Sequence, residues 1–213
     1  MDMKPYSVTI SHQLGSGGAY LGEKLAGRLG SPFLDRDILK EVARQLDLAE
    51  AELENREERL SSFWQNFTRV AILTDPAWDL VGQPYFPSDS DFFQVECGTI
   101  QRIAKKSSAV FLGRCGYYVL RTHPKHVSLL LTADQPARIK RVQELYNLSE
   151  EKALDLIETN DQERANYIRT LTKQNWLDAR HYDLCVNTSA VGWDVVLDLA
   201  EKCVRTKLQV PAN

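Results

Sequence analysis

Ser11-His12-Gln13-Leu14-Gly15-Ser16-Gly17-Gly18-Ala19-Tyr20 follows directly on the alternating run Tyr6-Ser7-Val8-Thr9-Ile10 and leads into the amphipathic positions Leu21, Lys24, Leu25 and Leu29. Strand, glycine-rich turn and helix in that order is the layout of a phosphate-binding loop. Glycines let the backbone curl into a nest of N–H donors, and the helix N-terminus adds partial positive charge. The standard pattern G-x-x-x-x-G-K-[ST] is only half kept. His12 stands at its first glycine, Gly17 matches its second, Gly18 replaces the lysine and Ala19 the hydroxyl residue. Two other readings stay open. The dinucleotide pattern G-x-G-x-x-G fits Gly15 and Gly17 but meets Tyr20 at its third glycine, with Asp35 or Asp37 about twenty positions on. A strand-to-helix turn without a ligand is the other.

Composition narrows the function classes. The chain has 213 residues, 43% hydrophobic and 26% charged, with a formal net charge of −3. That length predicts a single α/β domain over 1–213 with a full core. The charge offers no electrostatic footprint for nucleic acid or an anionic membrane. Cys97, Cys115, Cys185 and Cys203 lie far apart, without C-x-x-C or paired histidines. No metal site and no disulfide framework is expected, and a reducing, cytoplasmic setting is. The chain enters a strand within six residues and has no apolar run of spanning length, so neither a signal peptide nor a membrane segment is expected.

Five short apolar runs predict strands at Tyr6–Ile10, Pro32–Leu34, Ala109–Leu112, Val127–Leu131 and Asp183–Val186. Most are continuous rather than alternating, as parallel strands buried on both faces require. Helical patterns between them point to βαβ units, and Trp193, Val196, Leu197, Leu199, Ala200 and Val204 to a closing helix. Two segments fall outside this alternation. Leu48 to Arg59 should be helical and runs into an irregular stretch with Phe63, Trp64, Phe67, Trp78, Tyr85 and three prolines. It reads equally as a substrate-side cap, a homodimer contact or an excursion tucked onto the core. From Ser149, a plausible N-cap, a helix carries Ala153, Leu154 and Ile157 inward and continues into the charge-dense Asn160 to Arg169. That continuation is a candidate lid or a solvated face.

Polar residues recur at the strand ends: Asp35-Arg36-Asp37, Gly113-Arg114, Thr132-Ala133-Asp134 and Asn187-Thr188-Ser189. Ligands of α/β sheets bind at that edge. Together with the loop, these endings resemble the cytidylate kinase-like family of P-loop nucleoside monophosphate kinases. The resemblance rests on Ile10-Ser11 with Gln13, Gly15-Ser16-Gly17-Gly18, Phe33-Leu34-Asp35-Arg36 and Gly113-Arg114. Asp161-x-x-Arg164-Ala165-Asn166-Tyr167, Trp176 and Tyr182 to Ser189 complete it.

The resemblance implies a three-layer sandwich of the P-loop type. Its five-stranded parallel sheet would run in the order 2-3-1-4-5, with an acceptor-side region at about 48–92 and a helical lid at about 149–180. It implies ATP-dependent phosphoryl transfer to a small nucleotide or nucleoside, cytidylate first. ATP would come with Mg2+ whose protein ligand is unknown. Gly15, Ser16, Gly17, Gly18, Ala19 and Tyr20 would cradle the ATP phosphates. Asp35, Arg36 and Arg114 would hold the acceptor, a guanidinium suiting phosphate through its bidentate fork. Arg164, with Arg169, would stabilise charge on the transferring group, as would Arg114. Arg138 and Arg141 resemble the arginines after strand four of such kinases, but their spacing equally suits surface ion pairs. The alternative function is a nucleotide-binding regulatory or scaffold protein that has lost catalysis. It is favoured by Gly18 and Ala19 at the lysine and hydroxyl positions, unless a protonated His12 supplies part of the missing charge.

Overall fold

The computed structural model describes residues 5–35 and 89–210. Arg36 and most of the expected acceptor-side region, 48–88, lie outside them. Five parallel strands form one sheet: β1 (Ser7–His12), β2 (Phe33–Leu34), β3 (Ala109–Leu112), β4 (His126–Thr132) and β5 (Leu184–Asn187). Their order, 2-3-1-4-5, is the expected one. The central strand β1 pairs with β3 from Ser7↔Ala109 to Ile10↔Leu112 and with β4 from Ser7↔His126 to His12↔Leu131. Each strand starts and stops within a residue or two of its apolar run. The two-residue β2 and the partly exposed β5 are the sheet's edges.

The side-chain period of two divides the core. Val8 and Ile10 of β1, with Val110, Leu112, Val127 and Leu129, face helices α1 (Gly18–Leu29) and α7 (Trp193–Leu208). Phe111 and Leu130 face the opposite way, onto α2 (Asp89–Lys106), α3 (Gly116–Val119) and Trp176. A third cluster joins Leu14 to α4 (Gln135–Tyr146) and α5 (Glu150–Thr172), through Val142, Ala153 and Ile157. The Ser149 hydroxyl accepts from the Lys152 N–H, so α5 is capped as its sequence indicates. A short α6 (Thr188–Val191) links β5 to α7. Among the described residues no helix is long and apolar enough to cross a membrane.

One buried polar contact between the central strands involves a histidine. Thr9 Oγ1 and His126 Nε2 lie 2.8 Å apart between β1 and β4. Burial pushes the His126 imidazole down to about 4, against the smaller opposing pull of Asp183. A histidine depressed in the folded state binds fewer protons there than in the unfolded chain. Its stability contribution is therefore full above about pH 6.5 and lost as pH falls toward 4. Stability should fall from pH 7 to pH 4.5, by about 2 kcal/mol for this group. His126→Gln, which keeps a partner for Thr9, should flatten that slope in a circular-dichroism titration.

Candidate active site

The loop between β1 and α1 is held by its own backbone and by the neighbouring strands. Gly15 and Gly17 both have φ 81°, the left-handed region that glycine occupies without penalty. The Ser16 hydroxyl donates to the Gln13 carbonyl at 2.7 Å and the Leu131 carbonyl at 3.2 Å. Thr188 Oγ1 in turn donates to the Ser16 carbonyl at 3.0 Å, so the ends of β4 and β5 hold the loop from below. The Ser16 hydroxyl is thus spent within the fold. Gly17 caps α1 without a side-chain hydrogen bond, and the first turn carries no acidic residue. The positive end of α1 is left for an anion.

The three glycines answer to three different neighbours. A Cβ on Gly15 would sit 2.8 Å from the Arg138 carbonyl oxygen. One on Gly17 would run into the six-membered ring of Trp193, and one on Gly18 into the imidazole of His12. Glycine at 17 is therefore demanded by an indole packed on the loop, a requirement beyond the backbone approach of a phosphate. Trp193 heads a side-chain stack along the loop's outer lip. Tyr20 lies edge-on to it at 5.8 Å, Arg141 stands 4.5 Å above it and Lys24 sits 5.8 Å from Tyr20.

His12 and Gly18 form a complementary pair. His12 projects from the α1 face of the sheet and fills the space beside Gly18. Burial, reinforced by Arg164 and Arg138, holds its pKa well below 6.5. Burial and two nearby guanidiniums oppose protonation of His12, which weighs against its supplying part of the missing lysine charge and suits a buried histidine beside the strand.

At the carboxyl edge, Ser11, His12, Arg114, Arg164, Tyr167 and Trp176 line one cleft. Arg114 belongs to three successive left-handed residues, Gly113, Arg114 and Cys115, with φ of 67°, 54° and 52°. Outside glycine that conformation costs about 1–2 kcal/mol per residue. Such backbone strain clusters at ligand clamps. Arg114 Nη1 donates to Glu96 Oε1 at 3.3 Å, and both side chains are buried. Burial raises the Glu96 carboxyl above its usual range while Arg114 pulls it back. The Tyr167 hydroxyl donates to the other Glu96 oxygen at 3.4 Å, bridging α2 to α5. On α5, Arg164 Nη2 donates to Asn160 Oδ1 at 3.2 Å, and its guanidinium lies 5.1 Å over the Trp176 ring.

The sequence-derived candidates thus divide. Gly15 to Gly17 lie in the loop and Gly18 to Tyr20 in the first turn of α1, with Ala19 and Tyr20 exposed, and Arg114 and Arg164 share the cleft. Asp35 ends β2, half-buried, and Arg36 lies outside the described residues. Arg169 is exposed in the last turn of α5 and does not line the cleft. The polar endings of β4 and β5 chiefly satisfy each other: Asn187 Nδ2 donates to Asp134 Oδ1 at 2.8 Å, and the Asp134 N–H to Ser189 Oγ at 3.0 Å. Arg138 is not the surface ion pair its spacing suggested. It is buried, with Nε donating to the Leu14 carbonyl and Nη2 to Asp161 Oδ2, both at 2.6 Å. Glu96 and Trp193 were not legible as site residues; a glutamate within a helix and an indole on an amphipathic face carry no sequence signal of such contacts. Among the described residues no group of three or more His, Cys, Asp or Glu stands together as a metal site.

Sheet order, loop and basic cleft together define the P-loop kinase fold. Solved structures similar to this chain agree. An uncharacterized protein from Eubacterium ventriosum superposes with a TM-score of 0.70 at 22% identity, over 95% of this chain and 99% of its own. A gluconokinase from Sinorhizobium meliloti gives 0.53 at 13% identity, over 97% and 95%. A shikimate kinase from Bacteroides thetaiotaomicron gives 0.51 at 11%, over 94% and 98%. At these identities the likeness is one of fold. The sequence profile of the cytidylate kinase-like family matches residues 7–190, and the chain belongs to that family. Comparison with curated proteins gives no match.

Proposed function

We propose that this protein transfers the γ-phosphoryl group of ATP to a small phosphate-bearing nucleotide, with a cytidylate-type acceptor first in line. One observation carries the proposal: two buried guanidiniums, Arg114 and Arg164, line one cleft beside the phosphate loop. Phosphoryl transfer asks mainly for positioning and charge neutralisation, which such a pair supplies where a loop lysine is missing. ATP would be held by the backbone N–H groups at the start of α1 and supplies the group transferred. With the Ser16 hydroxyl turned inward and Ala19 beside it, Mg2+ would be carried by phosphate oxygens and water. Arg114 would grip the acceptor phosphate, with Asp35 and Arg36 beside it, and Arg164 the transferring group. The four free, dispersed cysteines support a reducing, cytoplasmic setting. We read residues 1–213 as one domain whose partners are small nucleotides.

A thermal-shift panel of nucleotides with magnesium, followed by turnover assays on the pairs that bind, tests the reading. Arg114→Lys should raise the acceptor KM about tenfold and leave ATP affinity within threefold, because a lysine keeps the charge facing Glu96 but loses the fork. Loss of stability without loss of acceptor affinity would instead make Arg114 a support of the strained turn.

The second reading, nucleotide binding without catalysis, is favoured by Gly18 itself, which packs on His12 and leaves the lysine's place filled. Tight ATP binding with no turnover on any nucleoside or monophosphate would select it.

A further inference from the structure

The phosphate loop and the lid are expected from sequence as separate parts, yet they share a core and an ion pair. Leu14, the second residue after β1, is buried among Val142 of α4 and Ala153 and Ile157 of α5. Above that cluster the guanidinium of Arg138 bonds the Leu14 carbonyl and Asp161 Oδ2 at 2.6 Å each. Gln13 Nε2 donates to the same Asp161 oxygen at 3.4 Å. The loop residue Gly15 lies against the Arg138 backbone, where a Cβ would meet the Arg138 carbonyl at 2.8 Å. Three segments, the loop, α4 and α5, thus meet at one carboxylate. Asp161 lies three residues before Arg164, on nearly the same helix face, since three residues turn a helix through about 300°.

We propose that Arg138 and Asp161 are positioning residues: their buried ion pair latches the lid helix to the phosphate loop and so sets Arg164 in the cleft. This rests on the kinase reading above. The pair is largely desolvated, with side-chain exposures of 6% and 22%, and its hydrogen bonds are charge-assisted and short. Removing one partner leaves the other buried and unpaired, so the latch resists opening. Helix α5 runs unbroken from Glu150 to Thr172. A displacement at Asp161 therefore carries Arg164 with it, and a change in the loop at Gln13 or Leu14 reaches Arg164 through these two side chains.

Asp161→Asn, nearly isosteric, keeps the helix and discharges the latch; Asp161→Ala removes it. Steady-state kinetics and hydrogen exchange of residues 158–168 would be measured on both. Asp161→Ala should lower kcat about tenfold or more with the KM for ATP within about threefold, and Asn should do the same to a lesser degree. Exchange in 158–168 should quicken about tenfold while distant strand β3 keeps its protection. Adding Arg138→Met to Asp161→Ala should cost little more, as for residues acting as one unit. Wild-type kcat together with wild-type exchange in Asp161→Ala would overturn the latch, as would loss of ATP affinity with kcat intact. If the wild-type chain turns over no acceptor, the kinase reading fails instead. Exchange in the nucleotide-free variants then decides the latch by itself: quickened in 158–168 upholds it, unchanged overturns it.

Discussion

Arg164→Ala is expected to lower kcat by about a thousandfold while the KM for ATP changes little, the pattern of an interaction made mainly in the transition state. The size follows from the surroundings of the guanidinium. Burial pushes its pKa down to about 10, so at neutral pH it keeps its charge although buried. A charge fixed in low dielectric acts strongly on developing phosphoryl charge and needs no reorganisation at the moment of transfer. With no lysine at position 18, few other cations share that task. Arg164→Lys should recover only part of the rate, because an ammonium lacks the planar fork that bonds two phosphate oxygens in parallel and the guanidinium's contact over Trp176. Steady-state kinetics with calorimetric ATP binding would check this. An unchanged kcat, or equal losses in kcat and ATP affinity, would remove Arg164 from the transferring group.

Gly18→Lys, the substitution that restores the standard loop residue, is expected to destabilise the protein and to add no activity. The collision is at Cβ, which would lie 2.7 Å from both Cβ and Cδ2 of His12 and closer still to its ring carbon Cγ. His12 is buried at the end of β1 and has little room to move. Overpacking of this kind costs about 1–3 kcal/mol, and Gly18→Ala should show most of it. The standard pattern carries glycine where His12 stands, so the two departures from it compensate each other. His12→Gly with Gly18→Lys should be more stable than Gly18→Lys alone, by a coupling of about 1–2 kcal/mol in a thermal-unfolding cycle. Additive losses would show that the pair is independent. A gain in turnover in the double variant alone would show that the loop accepts a lysine once the imidazole leaves.

Much of the fold was legible because it is written locally. Apolar runs of three to five residues marked the strands, and Ser149 with Ala153 and Ile157 marked α5. The loop's glycines marked its turn. The site was legible only in its motifs, Gly113-Arg114 and Asp161-x-x-Arg164. Their partners were not: Glu96 meets Arg114 from a helix before β3, and Trp193 reaches Gly17 from the far end of the chain.

By itself, then, the sequence determined the strands, their parallel burial, the glycine turn and the arginines at the sheet's carboxyl edge, since each depends on neighbours in the chain. Only the tertiary structure decided that His12 packs against Gly18 among groups that disfavour its protonation, that Arg138 faces inward, and that Asp161 meets both Arg138 and Gln13. These are properties of charge and packing between segments distant in sequence, such as Arg138 and Leu14, 124 residues apart. Whether a charged side chain is solvated, paired or buried is fixed by what the fold places against it.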